Sequence, residues 1–193
     1  VLFVCHANAL AQSTSLEQRL LAEPVEDLAS DAREMGDAKR GALLFHSPGL
    51  GCAKCHDRQP TPAGLGPDLT QWRQSVDDGH LVESVLQPSR KIEPLYRSLL
   101  IVTGDGRTLT GIPQQRDGQT LRLRTGPRDT DIVSIALDDI EGEKTAEVSV
   151  MPAGQVNALR RRQEFLDLIA YLIALRDGGA EAEARLRPSE ESL

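Results

Sequence analysis

Apolar residues recur at helical spacing in four stretches of the chain, and they alternate with polar residues in a region between the third and the fourth. Over residues 12–35, Leu16, Leu20, Leu21, Val25 and Leu28 make a partial stripe that Pro24 interrupts, which predicts an irregular helical arm or linker. Asp37 is a good N-cap, and a short helix is predicted over Ala38–His46, with Gly41 and Phe45 on one face. Pro48, Gly49 and Gly51 end it. Residues 57–70 are rich in Gly and Pro and read as loop. Leu81, Val82 and Val85 share one side of a helix predicted from about Asp78 to Leu86, stopped by Pro88. The last helix is predicted over Leu159–Leu175, closed by Gly178-Gly179, and the charged segment 177–193 reads as a disordered tail.

Residues 95–150 have a different rhythm. Tyr96–Val102 is rich in β-formers, Asp105-Gly106 is a turn signal, and Thr108–Ile112 follows as a strand. Asp117-Gly118 marks a second turn. Leu121 and Leu123 then alternate with Arg122 and Arg124, as on a strand with one wet face. Ile132–Ile135 and Val148–Val150 are further candidates. The region reads as a small antiparallel meander, and no internal repeat is present.

Length and charge narrow the classes. The chain has 193 residues, enough for one domain with an insertion. Aromatic residues make up only 3 %, so the core would gain from a large apolar cofactor. The net charge of -7 argues against nucleic acid as a partner and suits a basic or small redox protein. No apolar stretch reaches the roughly 20 residues of a membrane span. The first residues, Val1-Leu2-Phe3-Val4-Cys5, run into the small-x-small patterns Ala7-Asn8-Ala9 and Ala9-Leu10-Ala11. Residues 1–11 therefore read as the end of a secretory signal cut after Ala11, which predicts a periplasmic or otherwise exported protein. A buried N-terminal strand and a lipoprotein anchor at Cys5 are the alternatives.

Removal of Cys5 leaves Cys52 and Cys55, set in Cys52-Ala53-Lys54-Cys55-His56. On a helical turn, residues i, i+3 and i+4 share a face. Two thiols there can bond the two vinyl groups on one edge of a haem while the following imidazole reaches the iron. The motif thus predicts one covalent haem c, with His56 as proximal iron ligand. A thioredoxin-like pair would need a βαβ context, and a zinc site would need two further ligands nearby. For the other axial position the candidates are Met151, His80, His46 and Met35. Met151 leads: it lies in an extended or loop segment, and Pro152 stiffens the backbone beside it. Methionine and histidine together fill both axial positions and favour electron transfer over oxygen chemistry. The Pro67 carbonyl is a candidate acceptor for the free N–H of His56.

These residues resemble a known family. Gly41, Phe45, the Cys52–His56 motif, Gly66-Pro67-Asp68-Leu69, Met151-Pro152 and Asp167–Leu172 are similar to class I cytochrome c. That resemblance implies a mainly α fold over residues 36–176, with a β-rich insertion at about 95–150 between the haem-attachment motif and the distal Met. It also implies that Gly41 and Phe45 pack against Leu168 and Tyr171, that Pro67 accepts from the proximal His, and that Met151 binds the iron. Gly36–Gly41, Leu81–Ser89, the insert and Met151–Gly154 resemble more closely the haem-binding domain family of the Pirellula/Verrucomicrobium type. Members of that family often follow a sugar-dehydrogenase-like propeller, which implies a dehydrogenase donor and a respiratory acceptor. Two departures stand out: the chain has no propeller, and the last helix lacks the usual cap, with Asn157 the only nearby candidate. Two rival functions remain: the haem subunit of a redox enzyme such as a peroxidase, and a partner-binding module with structural haem. Arg160–Arg162 reads as a docking patch or, more simply, as a solvated face.

Overall fold

Capping chemistry starts the first helices. Ser15 and Gln18 form a reciprocal capping box on α1 (Leu16–Leu21). Pro24 then precedes α2 (Val25–Met35). The Asp37 side chain accepts from the amides of Lys39 and Arg40 and opens α3 (Ala38–His46). A single turn, α4 (Ala53–His56), carries the Cys-x-x-Cys-His residues. Asp77 caps α5 (Asp78–Leu86) through the His80 amide. A computed structural model supplies the structure; it describes residues 14–56, 65–71, 76–128 and 130–192. The predicted leader (1–11) and most of the 57–70 loop lie outside these residues.

The last helix, α6, runs Arg162–Leu186. It begins later than expected, because Gln155–Ala158 forms a separate 3-10 turn. Asn157 does not cap it: its side chain accepts from the Glu17 amide at 3.0 Å and ties this turn to α1. Gly179 breaks the helical geometry with φ 55°, yet the chain resumes helix beyond it. Ala182 and Glu183 are buried there, so the expected disorder of 177–193 is corrected as far as Leu186.

Helix α6 is the spine of the helical body. At its crossing with α3 there is no room for a side chain on Gly41, whose Cβ would stand 1.9 Å from the Asp167 carbonyl oxygen. The Asp167 carboxylate accepts from the Asp37 amide at 2.8 Å and from Arg40 Nε at 2.8 Å. The rings of Phe45 and Tyr171 meet edge-on, 5.3 Å between centroids. Leu16, Leu20, Leu28, Ala29 and Ala32 are buried in the same core, so α1 and α2 pack on the body and do not form a free arm. Arg162 pairs with Glu23 and Asp31, which takes it out of any docking patch.

The second region is an antiparallel sheet of β1 (Leu99–Thr103), β2 (Thr108–Arg116), β3 (Thr120–Arg124), β4 (Ile132–Ala136) and β5 (Ile140–Thr145). The spatial order is β4-β3-β2-β1-β5. The first four strands form the expected meander. Strand β5, which hydrophobic alternation does not mark, returns along the free edge of β1. Val148–Val150 is not a strand, and Tyr96 lies in a 3-10 turn ahead of β1. Arg124, expected on a wet face, is 2 % exposed, and its Nη1 donates to the Arg128 carbonyl.

These observations overturn the expected mainly α class I cytochrome c fold with a small β insertion. The described residues form six α-helices and a five-stranded antiparallel sheet, a mixed architecture. The physical reason is a second core: Ile101, Leu121, Leu123 and Ile135 bury one another within the sheet, apart from the helical cluster. Such a unit is a structural layer in its own right.

Candidate functional site

A cavity opens between the helical body and the two chain segments that flank the sheet. It is open on one side, has a volume of about 140 Å³, and its lining is mainly apolar. Phe45, Leu81, Val85, Leu168 and Leu172 form much of the wall. Every residue that the sequence reading assigned to the site, namely Cys52, Cys55, His56, Pro67 and Met151, lies on this one cavity.

The Cys52–His56 motif sits on a tight turn. The amides of both Cys55 and His56 donate to the Cys52 carbonyl, at 3.2 and 3.1 Å. Gly51, with φ 72°, lets the chain enter that turn. Burial pushes the Cys52 thiol up to about 12, and burial also raises Cys55, with nearby Lys54 opposing. Both are free cysteines. Neutral, desolvated thiols are poorly suited to the thiolate chemistry of a redox-exchange pair.

His56 Nδ1 lies 3.1 Å from the Pro67 carbonyl oxygen. A carbonyl only accepts, so Nδ1 carries the proton and Nε2 keeps its lone pair for a metal. Burial pulls the His56 pKa down, while the Pro67 bond partly restores it, so the ring is held neutral. Gly66 makes this contact possible: a Cβ there would stand 2.5 Å from the imidazole ring.

Met151 lines the same cavity from a segment without regular structure, and it packs partly buried against the helical core. Topology brings it there. Leu99 of β1 pairs with Thr145 of β5, and the Ala146 amide donates to the Ser98 carbonyl at 2.9 Å. The sheet is therefore zipped at its base, and the chain re-enters the cavity where it left. Ile92, Glu93 and Tyr96 line the way out; Ser149, Val150 and Met151 line the way back.

Among the other sequence candidates, His80 also lines the cavity. His46 does not. Its Nε2 is 3.3 Å from the Tyr171 hydroxyl, and its ring meets Phe45 edge-on. Met35 is 51 % exposed and does not line the cavity. Sequence reasoning missed Tyr96, whose hydroxyl pKa is raised by burial and by the charge of Asp68. It also missed Ser89, Ser149 and Gln155, polar residues whose positions carry no local signal.

The donor set and cradle fit a covalent haem: two thiols on one turn, an imidazole of fixed tautomer on the same side, a thioether from another segment, and an apolar wall between them. Among the described residues, no helix is long and apolar enough to cross a membrane, and no group of three or more His, Cys, Asp or Glu side chains could hold a metal ion. Comparison with known proteins finds no family model that matches the chain and no curated protein that matches it.

Proposed function

We propose that this protein is an exported c-type cytochrome that carries single electrons, with one haem c bound through Cys52 and Cys55. The observation that carries the reading is the convergence of Cys52, Cys55, His56 and Met151 on one apolar cavity, with His56 oriented by Pro67. When bound, the haem supplies a one-electron ferric/ferrous couple. His56 Nε2 would hold the iron, and the Pro67 carbonyl holds its ring. The Met151 thioether would supply the second ligand. A soft, neutral ligand there favours the reduced state relative to a second imidazole. The apolar wall would cover much of a bound haem and limit its contact with water.

The resemblance to the Pirellula/Verrucomicrobium haem-binding domains supports a sugar- or alcohol-type dehydrogenase as donor and a respiratory protein as acceptor. His80 is the second reading for the distal ligand, because it lines the same cavity. The test is a visible spectrum of the purified protein, oxidised and reduced, with a pyridine haemochrome assay. Covalent haem in one-to-one ratio is expected; its absence from protein made with a haem-attachment system would end the proposal. Met151→Ala is expected to abolish the far-red methionine-to-iron band, and His80→Ala to leave it intact.

A further inference from the structure

The segment that carries Met151 has no strand or helix of its own, yet it is anchored at both ends. On the N-terminal side, the Ser149 amide donates to Ser89 Oγ at 3.0 Å, just past the end of α5. Ser149 Oγ in turn accepts from the Met151 amide at 3.1 Å. On the C-terminal side, Gln155 Nε2 donates to the Leu50 carbonyl at 3.0 Å. Leu50 is 6 % exposed and immediately precedes Gly51-Cys52, so this bond joins the two halves of the site across the cavity rim. Its acceptor side is itself fixed, because the Gly51 amide closes a turn onto the Ser47 carbonyl at 3.0 Å. Gln155 lines the cavity too, so its amide is spent on the backbone and not on solvent.

We infer that Gln155 and the Ser89–Ser149 pair are positioning residues: together they latch the Met151 segment against the attachment turn and set how hard Met151 is to displace. The inference rests on the proposed Met151 ligation. The latch works through pre-organisation. A methionine held at its station by the backbone loses little freedom on binding, whereas one on a loose segment gives way to a competitor. Each anchor is an ordinary neutral hydrogen bond, so its loss is worth up to roughly tenfold in a displacement equilibrium.

The experiment uses the haem-loaded protein and imidazole as the competitor, followed by loss of the far-red band in the ferric state. Gln155→Glu keeps the size of the side chain and replaces its donor with an acceptor facing a carbonyl. It is expected to tighten apparent imidazole binding roughly tenfold. Ser89→Ala, a milder change, is expected to shift it in the same direction and by less. Leu123→Ala, which cuts into the separate core of the sheet, is expected to leave imidazole binding unchanged; that separates positioning from general destabilisation. Wild-type imidazole affinity in both Gln155→Glu and Ser89→Ala would overturn the latch while leaving Met151 ligation standing. A wild-type protein with covalent haem but no methionine band would remove the Met151 reading and the latch with it.

Discussion

The helical body and the sheet bury apolar surface in opposite ways. The sheet closes on itself: hairpin-linked strands pair with near neighbours, β5 caps the free edge of β1, and Ile101, Leu121, Leu123 and Ile135 fill the space between them. The body is closed over long sequence distances. Arg40 of α3 grips Asp167 of α6, and Arg176 of α6 reaches Asp78 of α5. It also forms one wall of an apolar cavity, whose other wall comes from the segments that flank the sheet. A region that packs itself has no need of a ligand. A region with an apolar cavity lined by His56 and Met151 is suited to take one. The pairing of β1 with β5 brings the two ends of the sheet region together, and the cavity lies between these ends and the body.

This contrast can be broken most severely at the attachment turn. Replacement of both Cys52 and Cys55 by Ala is expected to abolish covalent haem, and hydrogen exchange should then show lost protection in α3, α5 and α6 with strands β1–β4 still protected. Equal loss in both regions would deny that the sheet is independent. Next in size is Leu121→Ala. It removes a fully buried side chain from the sheet core and is expected to cost about 3 kcal/mol in denaturant unfolding, with the haem spectrum unchanged. Gly41→Ala acts on the body. Its Cβ has no space beside Asp167, and a cost of about 2 kcal/mol is expected, this time with a perturbed haem spectrum because α3 and α6 both line the cavity.

The smallest effect lies in acid. Burial alone would raise the Asp167 carboxyl, but hydrogen bonds from Arg40, Gln163 and the Asp37 amide together hold it below the usual range. A carboxylate depressed in the folded state adds stability that is complete above its unfolded pKa of about 3.9, and that stability is lost as pH falls through the folded value. Asp167→Asn should therefore flatten the pH dependence of unfolding below about pH 4. A curve parallel to wild type in that range would show that the α3–α6 crossing does not depend on this charge.

Much of the body was legible from local cues. Asp37 announced α3, the Leu81/Val82/Val85 spacing announced α5, and Pro24 separated α1 from α2, since caps, stripes and prolines act within a turn or two. Strand β5 was hidden because Ile140–Thr145 is largely exposed and gives no alternation; only pairing with β1 makes it a strand. Arg124 was misplaced because burial of a long cationic side chain depends on what lies across the sheet. The tail past Gly179 was misread because its helix is stabilised by packing, with Leu186 against the helical core, and composition does not report packing.

The chain by itself determined the chemistry within the reach of one turn: two thiols and an imidazole at helical spacing, and a Pro-stiffened methionine far along the sequence. It also carried two hairpins of the meander, β1–β2 and β2–β3, whose turns are written in Asp-Gly pairs. Only the tertiary structure decided that the chain forms a mixed helix-and-sheet architecture, because the sheet earns its own core through contacts between strands. Only the tertiary structure, too, placed Met151 on the same cavity as His56, through the β1–β5 pairing that returns the chain to its starting point. The anchors at Ser89, Ser149 and Gln155 belong to that second class. A hydrogen bond between residues as distant as Gln155 and Leu50 exists only when the fold has already brought them together.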